Sequence, residues 1–270
     1  MQLPLSRAGA RHLEFVDECA STNTELTTRS AADVLPDFSV LVSTSQTGGR
    51  GRLGRVWVAP PGQTLAVSVL LRPRLASGVP LAIDDFGWLP LIAGLAMTRA
   101  VASLVPSHAV SLKWPNDVQV DGRKVSGLLA EVLPGGDAVV MGAGLNLFIP
   151  HGLLPTATST SLGLCDPIVP DDQLVDAALS RYLTELSSLV SGFLSAGADP
   201  VASGIAALMV EHCSTIGQRV RVQLPGGDDL LGTATGIDDC GRLRVHDETE
   251  GKVVAVAAGD VTHLRYRHGV

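Results

Sequence analysis

Between Val110 and Leu147 three largely apolar runs, Val110 to Trp114, Lys124 to Leu133 and Val139 to Leu147, are broken by short turns. The breaks are Pro115-Asn116-Asp117, Asp121-Gly122 and Pro134-Gly135-Gly136. Two or three turn residues leave no room for a crossover helix, so such runs favour antiparallel neighbours in one sheet. Upstream, Thr64 to Leu71 reads as a buried strand, Val40 to Ser45 as a β-branched one and His12 to Glu18 as a short one. Thr22 and Glu25 form a capping-box pattern that opens a helix to about Ala32. Leu89 to Val105 is a helix apolar on most sides, hence packed inside, and ended by Pro106. Asp171 to Phe193 carries Leu174, Ala177, Ala178, Leu183 and Leu186 at helical spacing, and a further helix is expected over Pro200 to His212.

From Gly217 the pattern changes to short strands alone: Arg219 to Leu224, Leu230 to Ile237, Leu243 to Asp247 and Lys252 to Ala257. Turns fall at Gly226-Gly227, Cys240-Gly241 and Gly251. This spacing suggests a small β barrel, and a boundary near Thr215 divides the chain into residues 1–215 and 216–270. The class is α+β. A chain of 270 residues, 46% hydrophobic, can bury one sizeable core and a small second one.

Charge and cysteine usage exclude several classes of function. A net charge of −7 gives no long-range attraction to DNA or RNA. Cys19, Cys165, Cys213 and Cys240 form no CxxC pair and the seven histidines no HExxH, so neither a zinc site nor a disulfide framework is suggested; reduced thiols fit a cytoplasmic protein. Met1 to Arg11 lacks the apolar run of a signal peptide. Ala138 to Cys165 is uncharged if His151 is neutral, but Gly142, Gly144, Pro150 and Pro155 interrupt it, and no membrane span is expected.

The densest chemical signal is Gly49-Arg50-Gly51-Arg52-Leu53-Gly54-Arg55. Glycines let backbone N–H groups approach an anion while three arginines supply fixed positive charge. The run also satisfies GxGxxG, but a dinucleotide site needs a helix directly after it and Pro60-Pro61 leaves no room for one. No kinase HRD or DFG element follows, and no Walker pattern is present. A solvated loop of scattered charge is the plain alternative. Lys113-Trp114-Pro115-Asn116-Asp117 lies at a strand end, where ligands commonly bind. Eleven residues after Lys113, Lys124-Val125-Ser126-Gly127 begins the next strand; Lys124 either extends over a site or is a solvated strand-end lysine, and Gly127 lets a ligand lie against the backbone. Trp114 suits core packing better than a ligand role.

Taken in order, Ser21-Thr22-Asn23, Gln46 with the GRGRLGR run, Trp57, KWPND, KVSG and Gly142-Ala143-Gly144-Leu145-Asn146 resemble biotin protein ligases, over roughly residues 14 to 150. The resemblance implies a mixed sheet flanked by helices, related to class II tRNA synthetases, and an SH3-like C-terminal barrel. The implied reaction has two steps. The biotin carboxylate attacks the α-phosphate of Mg-ATP to give biotinoyl-AMP and pyrophosphate, and a carrier lysine then attacks the mixed anhydride. By similarity Ser21, Thr22, Asn23, Gln46, Gly49, Arg50, Lys124, Gly127 and Leu129 hold biotin. Arg52, Arg55, Trp57, Asn116, Lys124 and Asn146 hold the nucleotide, with Trp57 shielding the adenine. Lys124, Arg52 and Asp117 are the implied catalytic residues, Asp117 orienting the incoming amine; no protein-held metal is implied, Mg2+ coming with ATP. The implied partner is the biotin carboxyl carrier domain of an acyl-CoA or pyruvate carboxylase, with no DNA or membrane partner and a monomer or weak homodimer as the active form. The Ser-Thr-Asn motif begins at Ser21, too early for a winged helix-turn-helix before it, so a ligase without repressor activity is expected. The rivals are a lipoate ligase or octanoyltransferase, although no cysteine lies close to Lys124 in sequence, and a non-catalytic ligand sensor.

Overall fold

The computed structural model describes residues 1–10, 12–57, 59–224, 229–257 and 260–263. The expected Gly226-Gly227 turn lies outside them. The larger sheet comprises β1 (His12–Phe15), β2 (Ser39–Ser43), β5 (Thr64–Leu71), β6 (Val110–Lys113), β7 (Asp117–Val120), β8 (Arg123–Val132) and β9 (Val139–Asn146). Their order is β1-β2-β5-β9-β8-β7-β6. Only β1 and β2 run parallel, so the sheet is mixed, and the short turns of the middle segment do produce antiparallel neighbours. At the β7–β8 turn Asp121 and Gly122 both adopt positive φ, 49° and 74°, the geometry that a two-residue hairpin requires. The two-residue strands β3 (Gly49–Arg50) and β4 (Val56–Trp57) pair with each other inside the loop between β2 and β5.

The two faces of this sheet differ. Val40, Val42, Val67, Val69, Met141 and Leu145 pack into the main core with α3 (Trp88–Leu104) and α4 (Asp171–Ser195). Helix α3 with the turn before it is long and apolar enough to cross a membrane, but it is mostly buried against the sheet and α4, as its all-round apolar surface predicts. On the opposite face α2 (Thr22–Ala32) buries Leu26 with Leu41, Leu70 and Val140. Helix α2 is 11 residues long and covers only part of this face; what it leaves open becomes a cavity.

Three local expectations are corrected. The N-cap of α2 is Ser21, whose hydroxyl accepts from the Thr24 N–H, while Glu25 pairs with Arg29 at 2.9 Å; the Thr22–Glu25 box does not form. Helix α5 (Ile205–His212) starts later than Pro200, because Asp199 holds Val201 and Ala202 in a turn and Gly204, at φ 77°, reverses the backbone before the helix can begin. The N-terminus also contains α1 (Pro4–Gly9), a helix with no periodic signal. It is tied to α4 by Asp176, which accepts from the N–H groups of Leu5 and Ser6 and from the Ser6 hydroxyl at 2.6 Å.

The C-terminal strands β10 (Arg219–Gln223), β11 (Asp229–Ile237), β12 (Leu243–Asp247), β13 (Val253–Val256) and β14 (Asp260–His263) form one antiparallel sheet in the order β13-β12-β11-β10-β14. Its last strand was not expected from the sequence. This sheet packs against α3, where Trp88 Nε1 donates to the Asp239 carbonyl at 2.8 Å, and in the segment leading to it Cys213 bridges to Leu112 of β6. That bridge covers part of the otherwise unpaired β6 edge.

Candidate active site

In antiparallel strands, residues directly opposite one another share a face. Gly127 lies opposite Gly144 and Leu129 opposite Gly142, while Gly142 and Gly144 lie opposite Ser68 and Ala66. The open part of the sheet is therefore floored by small side chains. A cavity of about 510 Å3 stands on this floor, walled by α2, the Arg50–Trp57 loop, the Lys113–Asp117 turn, the segment from Pro155 to Ser159, and Val261 and Thr262 of β14.

At one end, polar side chains of α2 are fixed from below. Asn23 donates to the Leu129 carbonyl at 3.2 Å and to Glu131 at 2.8 Å, and its Oδ1 accepts from Ser68 at 2.6 Å. Gln46 Oε1 accepts from the Thr22 N–H at 2.8 Å and from its hydroxyl at 3.2 Å. Gly142 is required here, since a Cβ at that position would overlap the Asn23 carboxamide. Glu131 also pairs with Arg50 at 2.6 Å, joining the arginine loop to the sheet.

The other end is cationic. Arg52, Arg55, Lys113 and Lys124 line the cavity with a single lining carboxylate, Asp117, and Arg50, paired with Glu131 beside Asn23, is a fifth lining cation. This is a local reversal of the chain's net charge of −7. Lys124 Nζ lies 2.6 Å from Asp117 Oδ1 and 5.6 Å from the centre of the Trp57 ring, which rules out a freely solvated strand-end lysine. A register shift makes this possible: Val118 faces Ser126 but Gln119 faces Lys124, so Val125 is skipped. The bulge brings Lys124 back to the face of Gly127, whereas strict alternation would have turned it to the far side. Burial lowers the pKa of Lys113, against the opposing pull of Asp117. Burial likewise lowers that of Arg52, with Asp117 again opposing, and the guanidinium remains a cation.

Of the residues expected from the sequence, Ser21, Thr22, Asn23, Gln46, Arg50, Arg52, Arg55, Trp57, Asn116, Asp117, Lys124, Gly127, Leu129 and Asn146 all line the cavity. Gly49 does not. It sits in the adjoining depression behind the loop, with its Cα so close to the Trp57 backbone that a Cβ could not be placed. Trp57 lies on the glycine floor itself: Cβ atoms added at Gly127 and Gly144 would stand 3.1 Å and 2.7 Å from its ring, and its Nε1 is buried without a partner. Asn116 lines the cavity with its amide donating to the Leu128 carbonyl at 3.0 Å and its Oδ1 accepting from Arg52 at 3.1 Å. Asn146 donates to the Thr160 carbonyl at 2.9 Å and so anchors the segment that ends at Ser159. Trp114 is 2% exposed and packs in the core, as its bulk suggests.

Residues 17–146 match the biotin/lipoate A/B protein ligase family, and residues 215–264 match the biotin protein ligase C-terminal domain. Over 268 residues, 98% of this chain and 93% of the other, the sequence is 41% identical to a biotin–[acetyl-CoA-carboxylase] ligase of Mycobacterium tuberculosis. The chain belongs to the biotin protein ligase family. Among solved structures of that family, the Aquifex aeolicus biotin protein ligase in complex with biotin and ATP superposes with a TM-score of 0.66 at 24% identity, covering 94% of this chain and 99% of that one. The Leishmania major biotin protein ligase in complex with biotinyl-5-AMP gives 0.57 at 25% identity, covering 92% and 99%.

Within this biotin protein ligase several cavity components carried no readable signal. Glu131 is a lone acid in an apolar strand, and Ser68 a lone serine in another; both act only because α2 crosses above them. Lys113, by contrast, was visible inside KWPND without an assigned role. Thr156, Thr158 and Ser159 enter the cavity because the Thr158 carbonyl accepts from the Lys124 N–H and the Lys124 carbonyl accepts from Thr160, a pairing of segments far apart in the chain.

Proposed function

We propose that this chain activates biotin with Mg-ATP, forming biotinoyl-5′-AMP, and then transfers the biotinyl group to a lysine of a biotin carboxyl carrier domain. The observation that carries this reading is the joining, in one cavity, of a small-residue floor beneath fixed neutral donors and acceptors with a cluster of five cations. A flat uncharged ring lies on glycine and alanine; two anions that repel each other need arranged cations to meet.

In this assignment Asn23, Thr22, Gln46 and the N-cap Ser21 hold the biotin head, Gly142 and Leu129 form the surface beneath it, and Gly127 seats the Trp57 ring that borders it. Arg52 and Arg55 organise the phosphates. Lys124 supplies charge beside the carboxylate and the α-phosphate, where the pentavalent state gathers negative charge. With the nucleotide absent, Asp117 neutralises Lys124; once phosphate takes that role, the carboxylate is released to orient the carrier's ammonium group. Asn116 acts through Arg52 rather than by touching the nucleotide. No cysteine is among the cavity's lining residues, which favours direct adenylation over the thioester route of an octanoyltransferase.

The finer architecture belongs to the same proposal: a catalytic unit of residues 1–215, related to class II tRNA synthetases, and an SH3-like unit of residues 216–270. The change to strands alone after α5 supports that division. A carboxylase carrier domain as partner, a cytoplasmic location and a monomer or weak homodimer are expected. The deciding experiment incubates the protein with biotin, Mg-ATP and a purified apo carrier domain and weighs the carrier. A gain of one biotinyl group is expected, with none when lipoate or octanoate replaces biotin; a gain with lipoate alone would overturn the assignment.

A further inference from the structure

Val261 and Thr262 of β14 line the same cavity as the Lys113–Asp117 turn, although they belong to the C-terminal sheet. One hydroxyl links the turn to this strand directly. Thr215, completely buried between α5 and β10, accepts from the Trp114 N–H at 3.0 Å and lies 3.1 Å from Nε2 of His263. Trp114 is itself buried, so its N–H has no water to turn to. A hydroxyl that accepts from this N–H still has a proton and a second lone pair, so it bonds the imidazole in either tautomer, and one side chain joins the turn to the strand. The neighbouring backbone holds Thr215 in register: Ser214 N–H donates to the Leu112 carbonyl at 2.9 Å.

We propose that Thr215 is a positioning residue for adenylate formation, fixing the Trp114–Asp117 turn against β14 and thereby setting the width of the cavity at its cationic end. The inference rests on the ligase reading of this cavity. The turn carries Asn116, which holds Arg52, and Asp117, which holds Lys124. The biotin floor spans β5, β8, β9 and α2 and meets the turn only at the β8 side, where Asn116 and Leu128 exchange hydrogen bonds. Loosening the turn therefore disturbs the nucleotide step more than biotin binding.

The test is Thr215→Val, which keeps the shape and removes the hydroxyl, beside Thr215→Ser, which restores it. Because Thr215→Val leaves the Trp114 N–H unpaired, His263→Phe is the parallel variant, removing the second partner while the first bond remains. Biotin-dependent pyrophosphate exchange is measured against ATP concentration, and biotin affinity by titration calorimetry. Thr215→Val and His263→Phe are expected to lower kcat/KM for ATP about tenfold, the size of one buried hydrogen bond, with biotin affinity much less affected and Thr215→Ser close to the parent. Unchanged ATP kinetics in His263→Phe, an equal loss of biotin affinity, or failure of Thr215→Ser to restore exchange would each overturn the proposal. Absence of exchange in the unaltered chain would overturn the ligase reading itself, and this inference with it.

Discussion

Lys124 Nζ and Asp117 Oδ1 lie 2.6 Å apart across β7 and β8, at the mouth of a cavity whose other lining charges are all positive. Because the pair is partly exposed, its contribution to stability is small. In the proposed reaction its charge acts where phosphate arrives. Lys124→Ala is expected to slow biotin-dependent pyrophosphate exchange a few hundred-fold, the loss of about 3 to 4 kcal/mol of transition-state stabilisation, with the melting temperature nearly unchanged. Exchange at the parental rate would remove Lys124 from the reaction.

In the proposed mechanism Asp117 acts in the second half-reaction. If the carboxylate orients the carrier lysine, Asp117→Asn lowers the rate of transfer from preformed biotinoyl-AMP by at least about tenfold while pyrophosphate exchange falls less. Single-turnover transfer to an apo carrier domain measures this, and equal losses in both steps would assign Asp117 to holding Lys124 alone.

Arg52 is buried enough for its pKa to be lowered, and it is held by Asn116. Arg52→Ala leaves the adenylate's phosphate without that partner. Faster appearance of free biotinoyl-AMP in solution is expected, about tenfold for the loss of one charge-assisted hydrogen bond. Chromatography of the reaction supernatant checks it; leakage equal to that of the parent would count against the role.

Gly142→Ala places a methyl group where the Asn23 carboxamide now lies. Asn23 then gives up its contacts to Leu129, Glu131 and Ser68, and biotin affinity should weaken at least about tenfold while the chain stays folded, since Asn23 can swing into the cavity. Calorimetric titration with biotin is the measurement, and an unaltered dissociation constant would show that Asn23 does not bind the ligand.

Asp176 tests stability rather than activity. Its buried carboxylate accepts from two backbone N–H groups and the Ser6 hydroxyl, far from the cavity. Asp176→Ala should cost about 3 kcal/mol and lower the melting temperature by roughly 5 to 10 °C, with the rate of exchange per folded molecule unchanged. A melting temperature within a degree of the parent would mean that α1 contributes nothing.

Legibility in the sequence followed the range of the forces involved. Strands bounded by Gly, Pro and Asp turns were readable because turn chemistry is local: Thr64–Leu71 and Leu243–Asp247 lie where expected. Helix α1 was not readable, since its six residues are held by a carboxylate 170 positions away. The N-cap of α2 was misplaced by one residue because both Ser21 and Thr22 can cap, and the Thr22 hydroxyl is taken by Gln46.

By itself the sequence determined the motifs that identify the family, the antiparallel centre of the sheet, the buried α3 and the concentration of glycine and positive charge in the arginine loop. Tertiary structure alone decided which side of the sheet is open, that a bulge at Val125 turns Lys124 toward that side, that Glu131 and Ser68 brace the polar end, and that β14 closes the cavity. The physical reason is that a motif records residues adjacent along the chain. The cavity is made of residues opposite one another across strands, and their meeting depends on register, which no segment specifies alone.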